Sequence, residues 1–294
     1  MLKKKILITG INGFLGSHLA KYLKSSFEVL GLEYSINNLF RIESENFKVY
    51  DVVSKPLENI FIENEIYAVI HVATIYRRKL EPLHNLLKTN VLLPVNLLEL
   101  SNKYNVSLFL NTDSFFNSSK NSYSYLSDYT LSKKHTLDWI KLISNSSICK
   151  IVNMKIFHMF GENDSPSKFI PHLIDTILRE ETFIDMTPGL QTRDFIYVND
   201  VVSAFETVLK NELKLTNYQE YEVGSGKSFS IKHLAELIQK ISKSKTELNF
   251  GAIPYRKGEI MESISNNKVL IKLGWNAKFN LSEGLFKVIN SLNK

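Results

Sequence analysis

Three glycines at three-residue spacing, Gly10, Gly13 and Gly16 in TGINGFLG, follow the apolar run Ile6-Leu7-Ile8 and precede SHLAKYLK, whose apolar residues recur at helical spacing. A strand, a glycine turn and a helix in that order leave few folds open. The glycines permit a tight turn and a close approach of backbone to a pyrophosphate, while the first amides and the positive end of the helix favour phosphate charge. The residues expected to face a dinucleotide here are Gly10, Asn12, Gly13, Phe14, Leu15 and Gly16. Further strand-like runs at Val29 to Leu32, Phe47 to Tyr50, Ala68 to Val72, Ser107 to Leu110 and Ile148 to Ile156 are separated by segments long enough for helices. That alternation predicts an α/β protein with a doubly wound, mainly parallel sheet.

Two stretches have helical apolar spacing, Leu83 to Tyr104, with Pro94 as a candidate kink, and Tyr125 to Ile143. The Ser/Asn-rich stretch Asn117 to Ser127 reads as a loop. At 294 residues the chain exceeds one small domain by the rule of roughly 150 residues per domain. After about residue 155 the pattern loosens into loops rich in glycine and proline, which places a second, smaller lobe there. The expected division is residues 1–155, with a return segment near 193–212, against 156–192 and 213–294.

With 44% hydrophobic and 22% charged residues the chain can bury a sizeable core, which excludes a disordered or fibrous protein. The single cysteine, Cys149, excludes an intramolecular disulfide framework and a multi-cysteine metal site, and no clustered metal-ligand motif is present. The net charge of +6 comes from lysines scattered among acidic residues, which reads as a solvated surface; neither nucleic acid nor membrane is an expected partner. Lys3-Lys4-Lys5 precede an apolar segment, but Thr9, Gly10, Asn12 and Gly13 break it and no cleavage site follows. No run approaches the roughly 20 apolar residues of a membrane span. A soluble, cytoplasmic protein is expected.

An acid at the end of the second strand, about 20 residues beyond the glycines, would bond the adenosine ribose hydroxyls. Glu33, 23 residues past Gly10, fills that place and its charge opposes a ribose 2′-phosphate, which favours NAD(H) over NADP(H), although Arg41 lies close enough to counter it. Asp51 and Val52, following the third strand, are candidate adenine contacts; a strand-end aspartate also commonly forms a turn. Tyr129 and Lys133 stand four apart on a predicted helix, so both emerge on one face. A cation beside a phenol lowers its pKa, and an oxidised nicotinamide would lower it further, making Tyr129 a workable acid/base near neutral pH.

TGINGFLG, the Tyr129/Lys133 pair in DYTLSKK, Asn111 to Asp113 after a strand, RDFIYVND at Arg193 to Asp200, YEVGSG at Tyr221 to Gly226 and LGW at Leu273 to Trp275 together resemble the extended short-chain dehydrogenase/reductase family over nearly the whole chain. Within it the similarity is to the nucleotide-sugar epimerases, dehydratases and 4-ketoreductases. The resemblance implies a Rossmann-like lobe, a smaller mixed α/β lobe for a nucleotide-diphosphate sugar, the substrate in the cleft between them, and a homodimer through the two long helices. It further implies a triad in which Thr112 bonds the reacting sugar oxygen, Tyr129 moves its proton, and Lys133 holds the nicotinamide ribose. Ala73 and Thr74 would pass the cofactor and Asn90 would support it; Asp113, Ser114, His158, Lys168, Phe169, Arg193 and Arg256 fall on substrate-side positions, the two arginines at the diphosphate.

Related 4,6-dehydratases resemble Thr-Asp-Glu where this chain has Thr112-Asp113-Ser114, so the proton-abstracting glutamate is missing and elimination is not expected. Asp113 then reads as a loop-ordering acid. The NTDS run, HMFG with SKF at Ser167 to Phe169, and the Thr187 to Phe195 region look most like 4-ketoreductases that make deoxysugars, such as CDP-abequose and paratose synthases. Many of those favour NADPH, from which Glu33-Tyr34 departs. The expected activity is reduction of a 4-keto-deoxysugar nucleotide by NAD(P)H. The alternatives are a 4-epimerase with bound NAD and a non-catalytic dinucleotide-binding protein, against which the intact triad argues.

Overall fold

Aliphatic runs that alternate with longer amphipathic segments form strands buried on both faces and helices that cover them. The computed structural model describes residues 3–78, 81–117 and 126–292. Its first half runs through β1 (Lys5–Thr9), α1 (Phe14–Leu23), β2 (Glu28–Glu33), β3 (Lys48–Asp51), α2 (Glu58–Glu63), β4 (Ile66–His71), α3 (Leu83–Leu87), α4 (Leu93–Lys103), β5 (Leu108–Ser114), α5 (Ser127–Ser144) and β6 (Lys150–Ile156). Then follow β7 (His158–Phe160), α6 (Phe169–Leu178), β8 (Phe183–Met186), β9 (Thr192–Arg193), β10 (Phe195–Tyr197), α7 (Val198–Lys210) and β11 (Tyr218–Val223). The chain ends through β12 (Phe229–Ser230), α8 (Ile231–Ser242), β13 (Glu247–Phe250), β14 (Glu262–Ser263), α9 (Lys268–Lys272) and α10 (Leu281–Leu292).

Seven strands make one sheet in the order β11-β6-β5-β4-β1-β2-β3, and β1 runs parallel to β2 and β4, β2 to β3, and β4 to β5. This is the expected doubly wound sheet. The strand order reverses between β1 and β4, and the crevice beyond the carboxyl ends at such a switch is where open α/β sheets bind ligands. Beneath it, Leu7, Leu30, Val69, Phe109 and Ile151 from five strands pack with Phe61, Leu97, Leu98 and Ile140 from helices. Each contributes about 1.5–3 kcal/mol of burial.

Two elements differ from the sequence expectation. β5 continues through Ser114, so Asn111 to Ser114 lie within a fully buried strand instead of after one. The single helix expected over Leu83 to Tyr104 is α3, a π-helical turn at Lys88–Leu92, and α4 with Pro94 in its first turn. The wider turn places the Asn90 side chain, fully buried, against the loop after β4. The expected loop at 117–127 lies almost wholly outside the described residues, as does Tyr125 at the start of the second expected helix.

The chain divides into Met1–Lys155 with Val202–Tyr221, and Ile156–Val201 with Glu222–Lys294. The return to the first unit thus begins at residue 202, not 193, because β9 pairs with β12 and β14 while β10 pairs with β7. The second unit is a set of small sheets, β12-β9-β14, β10-β7 and β13-β8, with α8 packed on α6 and α10. No described helix is long and apolar enough to cross a membrane.

Candidate active site

The glycine loop is built as its spacing implies. Gly10 has φ +64°, and a Cβ there would stand 2.9 Å from Ala73 Cα; a Cβ on Gly13 would stand 2.9 Å from Gly10 O, and one on Gly16 would run into the same carbonyl. Gly13 N donates to Gly10 O at 2.8 Å, closing the turn. First-turn amides of a helix have no partner inside it, and α1 has no acidic side chain in its first turn to repel an anion. Phe14 and Leu15 bury their side chains in the core, so only their backbone is left for a ligand. This cradle, which any side chain would fill, fits the pyrophosphate of a dinucleotide.

Glu33 closes β2 and accepts the Asn12 amide at 2.5 Å; burial pushes its carboxyl pKa up, against the pull of the Asn12 and Tyr34 amides. Asn12 also ties down Arg41, whose amide donates to Asn12 Oδ1 at 2.9 Å and whose Nη1 donates to Asn12 O at 3.3 Å, with the guanidinium over the Phe40 ring. Glu33 and Arg41 therefore meet through one loop residue. Asp51 takes the turn role, accepting from Val53 N at 2.7 Å, and Val52 N donates to Glu33 O at 2.8 Å. Ala73 lies against Gly10. Asn90 receives Ile75 N at 2.8 Å, donates to Ile75 O and to Ser132 Oγ at 2.9 Å each, and accepts from Thr74 Oγ1, so it joins the loop after β4 to α5.

Around the expected triad, Lys133 is buried and its Nζ donates to Thr112 O at 2.9 Å; loss of hydration lowers its pKa to about 8, partly offset by Asp113. Thr112 Oγ1 donates to His71 O at 2.9 Å, so its hydrogen points at the neighbouring strand. Two hydroxyls act on the Tyr129 phenol through hydrogen bonds, that of Ser114, which lowers its pKa, and that of Tyr76, which raises it. Contrary to the sequence expectation, the Tyr129 pKa in the chain alone is raised well above a free tyrosine's: burial dominates, followed by Tyr76, and the bond from Ser114 does not offset them. Asp113 is buried and loop-ordering, accepting from Ser114 N at 2.7 Å, Asn117 Nδ2 at 2.8 Å and Asn153 Nδ2 at 3.0 Å.

The second unit's expected substrate residues are of two kinds. Arg193 is nearly buried: Nη1 donates to Thr192 O at 2.8 Å and Ile260 O at 2.6 Å, and Nη2 pairs with Glu259, so a diphosphate would compete with internal partners. His158 sits 3.3 Å from Ser263 Oγ, its imidazole pKa lowered to about 3 by burial and the Arg193 charge. Lys168 pairs with Asp164 at 2.8 Å, while Phe169 and Arg256 are exposed. Among the described residues no three His, Cys, Asp or Glu side chains gather as a metal site would require.

Sequence reasoning missed Tyr76, whose ring stacks on Tyr129 at 4.6 Å between centroids, and Phe116, edge-on to it at 6.2 Å. It also missed what RDFIYVND and YEVGSG do. Asp194 is fully buried and accepts from Ser225 N and Oγ, Gly226 N, and Ser265 N and Oγ at 2.6–3.0 Å. Asp200 accepts from Lys278 N at 2.8 Å and Phe279 N at 3.0 Å, and its carbonyl takes the Trp275 indole N–H at 3.2 Å. The recurrence of aspartates among small residues and glycines was the only available signal for these anchors.

A model of the NAD dependent epimerase/dehydratase family matches residues 6–224. CDP-abequose synthase of Salmonella typhimurium is 34% identical over 296 residues, spanning 99% of both chains, and that of Salmonella muenchen is 36% identical over 298 residues, spanning 98% of both. Among solved structures, a UDP-glucose 4-epimerase of Thermotoga maritima with UDP-glucose has a TM-score of 0.85 at 22% identity, covering 98% of both chains. A UDP-glucuronic acid 4-epimerase of Bacillus cereus, in complex with UDP-glucuronic acid and NAD, has 0.84 at 22%, covering 98% of this chain and 99% of that one. At those identities the two structures speak for the fold.

Proposed function

The chain belongs to the NAD dependent epimerase/dehydratase family, and from that premise we propose that it is a 4-ketoreductase that converts a nucleotide-linked 4-keto-deoxysugar to the 4-hydroxy sugar. The observation that carries this reading is the similarity over nearly the whole chain to two CDP-abequose synthases, at 34% and 36% identity. Reduction of a ketone needs a proton donor, and the buried phenol of Tyr129 is the candidate. NADH or NADPH, when bound, supplies the hydride to C4. Tyr129 gives its proton to the oxygen at C4 and recovers one from solvent. Ser114, hydrogen-bonded to that phenol, donates to the developing alkoxide, and Thr112 adds a second hydroxyl once it turns from His71 O. Lys133, held by Thr112 O, contributes positive charge and a donor for the nicotinamide ribose.

The absence of a glutamate after Thr112-Asp113 speaks against elimination and leaves reduction and epimerisation as the two chemistries to separate. Glu33, already accepting the Asn12 amide, favours NAD(H), with Arg41 as the counterweight. The second unit is proposed to select the nucleotide and sugar, through Lys168, Phe169 and Arg256 more than through Arg193. On α5, Leu131, Trp139 and Leu142 are exposed at helical spacing, and Leu83, Leu87 and Leu92 are exposed near α3, which supports a homodimer through these helices. The lone Cys149 is buried and its thiol pKa is raised to about 12, an inert group suited to a cytoplasmic setting.

The test is purified protein with NADH or NADPH and a panel of 4-keto-6-deoxy nucleotide sugars, CDP-linked ones first, followed by absorbance at 340 nm. Stoichiometric loss of reduced coenzyme is expected. Retained NAD with interconversion of 4-hydroxy sugars and no net loss would move the assignment to a 4-epimerase.

A further inference from the structure

β1, β4 and β5 lie side by side, and their register sets Thr9 opposite His71 and His71 opposite Asn111. Residues opposite one another in a parallel ladder share a face of the sheet, so the three side chains form a row; all are buried, His71 completely. Thr9 Oγ1 accepts the amide hydrogens of Val72 and Ala73, both at 3.1 Å. A hydroxyl has two lone pairs and one hydrogen. With both pairs engaged, the hydrogen goes to His71 Nδ1, 2.9 Å away. The imidazole proton therefore sits on Nε2, and burial together with the Lys133 charge keeps the ring neutral, well below the usual histidine range.

Asn111 is fixed from the other side. Asn153, on β6, donates through Nδ2 to Asp113 Oδ2 at 3.0 Å, which turns its Oδ1 toward Asn111, and Asn111 Nδ2 donates to that oxygen at 2.7 Å. The free end of Asn111 is then its carbonyl oxygen. Among the described residues neither His71 Nε2 nor Asn111 Oδ1 has a hydrogen-bond partner. A donor and an acceptor, buried and in register on adjacent strands, have the complementary chemistry that an internal water satisfies when it finds two or more polar partners.

We propose that one internal water is bound between His71 Nε2–H and Asn111 Oδ1, accepting from the first and donating to the second. It completes a hydrogen-bonded row across β1, β4, β5 and β6, from Thr9 beside the glycine loop to Asp113 beside Ser114. His71 is the positioning residue at its centre, since its carbonyl also takes the Thr112 hydroxyl.

Two variants separate the bonds of His71. His71→Gln keeps a donor near the Nε2 place and loses the acceptor for Thr9; His71→Asn keeps that acceptor and loses the donor. In crystals of the full chain that show ordered water, the wild type and His71→Gln should hold a water within hydrogen-bond distance of residues 71 and 111, and His71→Asn should not. Affinity for whichever of NADH and NADPH the wild type binds, read by fluorescence titration, should fall several-fold in His71→Gln, where the Val72–Ala73 turn beside Gly10 is released, and stay within twofold in His71→Asn. Nitrogen-15 histidine spectra of the wild type should show the Nε2–H tautomer, a readout that needs no variant to fold. No water in the wild type, a direct His71–Asn111 bond, an Nδ1–H tautomer, or equal coenzyme affinity in the two variants would overturn the proposal. None of these readouts requires turnover, so they stand apart from the reductase reading.

Discussion

The glycine loop with its neighbouring triad and the Arg193–Asp200 segment both stand out in the sequence, yet they use their polar groups in opposite ways. In the first region the backbone is cleared of side chains at Gly10, Gly13 and Gly16, and burial raises the pKa of the Tyr129 phenol. In the second, Asp194 is saturated by Ser225, Gly226 and Ser265, and Arg193 is divided among Glu259 and two carbonyls. Polar residues in recognisable motifs are thus of two sorts. Those saturated by internal partners, such as Asp194, hold the fold, and those with fewer, such as Thr112 and Lys133, keep hydrogen-bonding capacity for ligand chemistry.

The contrast is broken most sharply by substitution. Tyr129→Phe should lower kcat by about 10²–10⁴, the usual worth of a positioned acid, with coenzyme affinity and urea midpoint unchanged; an unaltered kcat would remove Tyr129 from the mechanism. Arg193→Met should act on the fold instead, because it strands the enclosed Glu259 charge. A loss of about 3–5 kcal/mol in urea unfolding is expected, whereas a raised KM at full stability would make Arg193 a substrate residue after all. Gly16→Ala drives a Cβ into Gly10 O, and overpacking of that kind costs about 1–3 kcal/mol. Coenzyme titration should show binding lost along with it.

A smaller effect concerns pH. The folded-state pKa of Lys133 is lowered to about 8 from the free value of 10.5. Between those values the unfolded chain binds the extra proton, so the contribution of Lys133 to stability rises with pH, and its penalty is fully present below pH 8. Urea midpoints at pH 7 and pH 10 should therefore differ less in Lys133→Met than in the wild type. The alkaline limb of kcat/KM should fall near pH 8 as the ammonium is lost.

How much was readable in advance follows from the same distinction. A requirement on the backbone is written in residue type, so Gly10, Gly13 and Gly16 specify strand, turn and helix by themselves. The i, i+4 spacing of Tyr129 and Lys133 likewise survives into α5. Partners far apart in sequence left no such trace: Glu259 reaches Arg193 across 66 residues, and Ser265 reaches Asp194 across 71. The stacking of Tyr76 on Tyr129 depends on the course of the loop after β4, which no local propensity sets. The lowered Tyr129 pKa expected from Lys133 failed because spacing supplies the cation but not the extent of burial, and burial dominates.

Reduction and epimerisation differ most plainly in the fate of hydrogen at the sugar's C4. With coenzyme deuterated at the transferable position of the reduced nicotinamide and a 4-keto-6-deoxy nucleotide sugar as substrate, a reductase places one deuterium at C4 of the product for each coenzyme oxidised, in the wild type and not in Tyr129→Phe. Conversion of a 4-hydroxy sugar to its C4 epimer with no deuterium entering from added coenzyme would contradict the reductase reading.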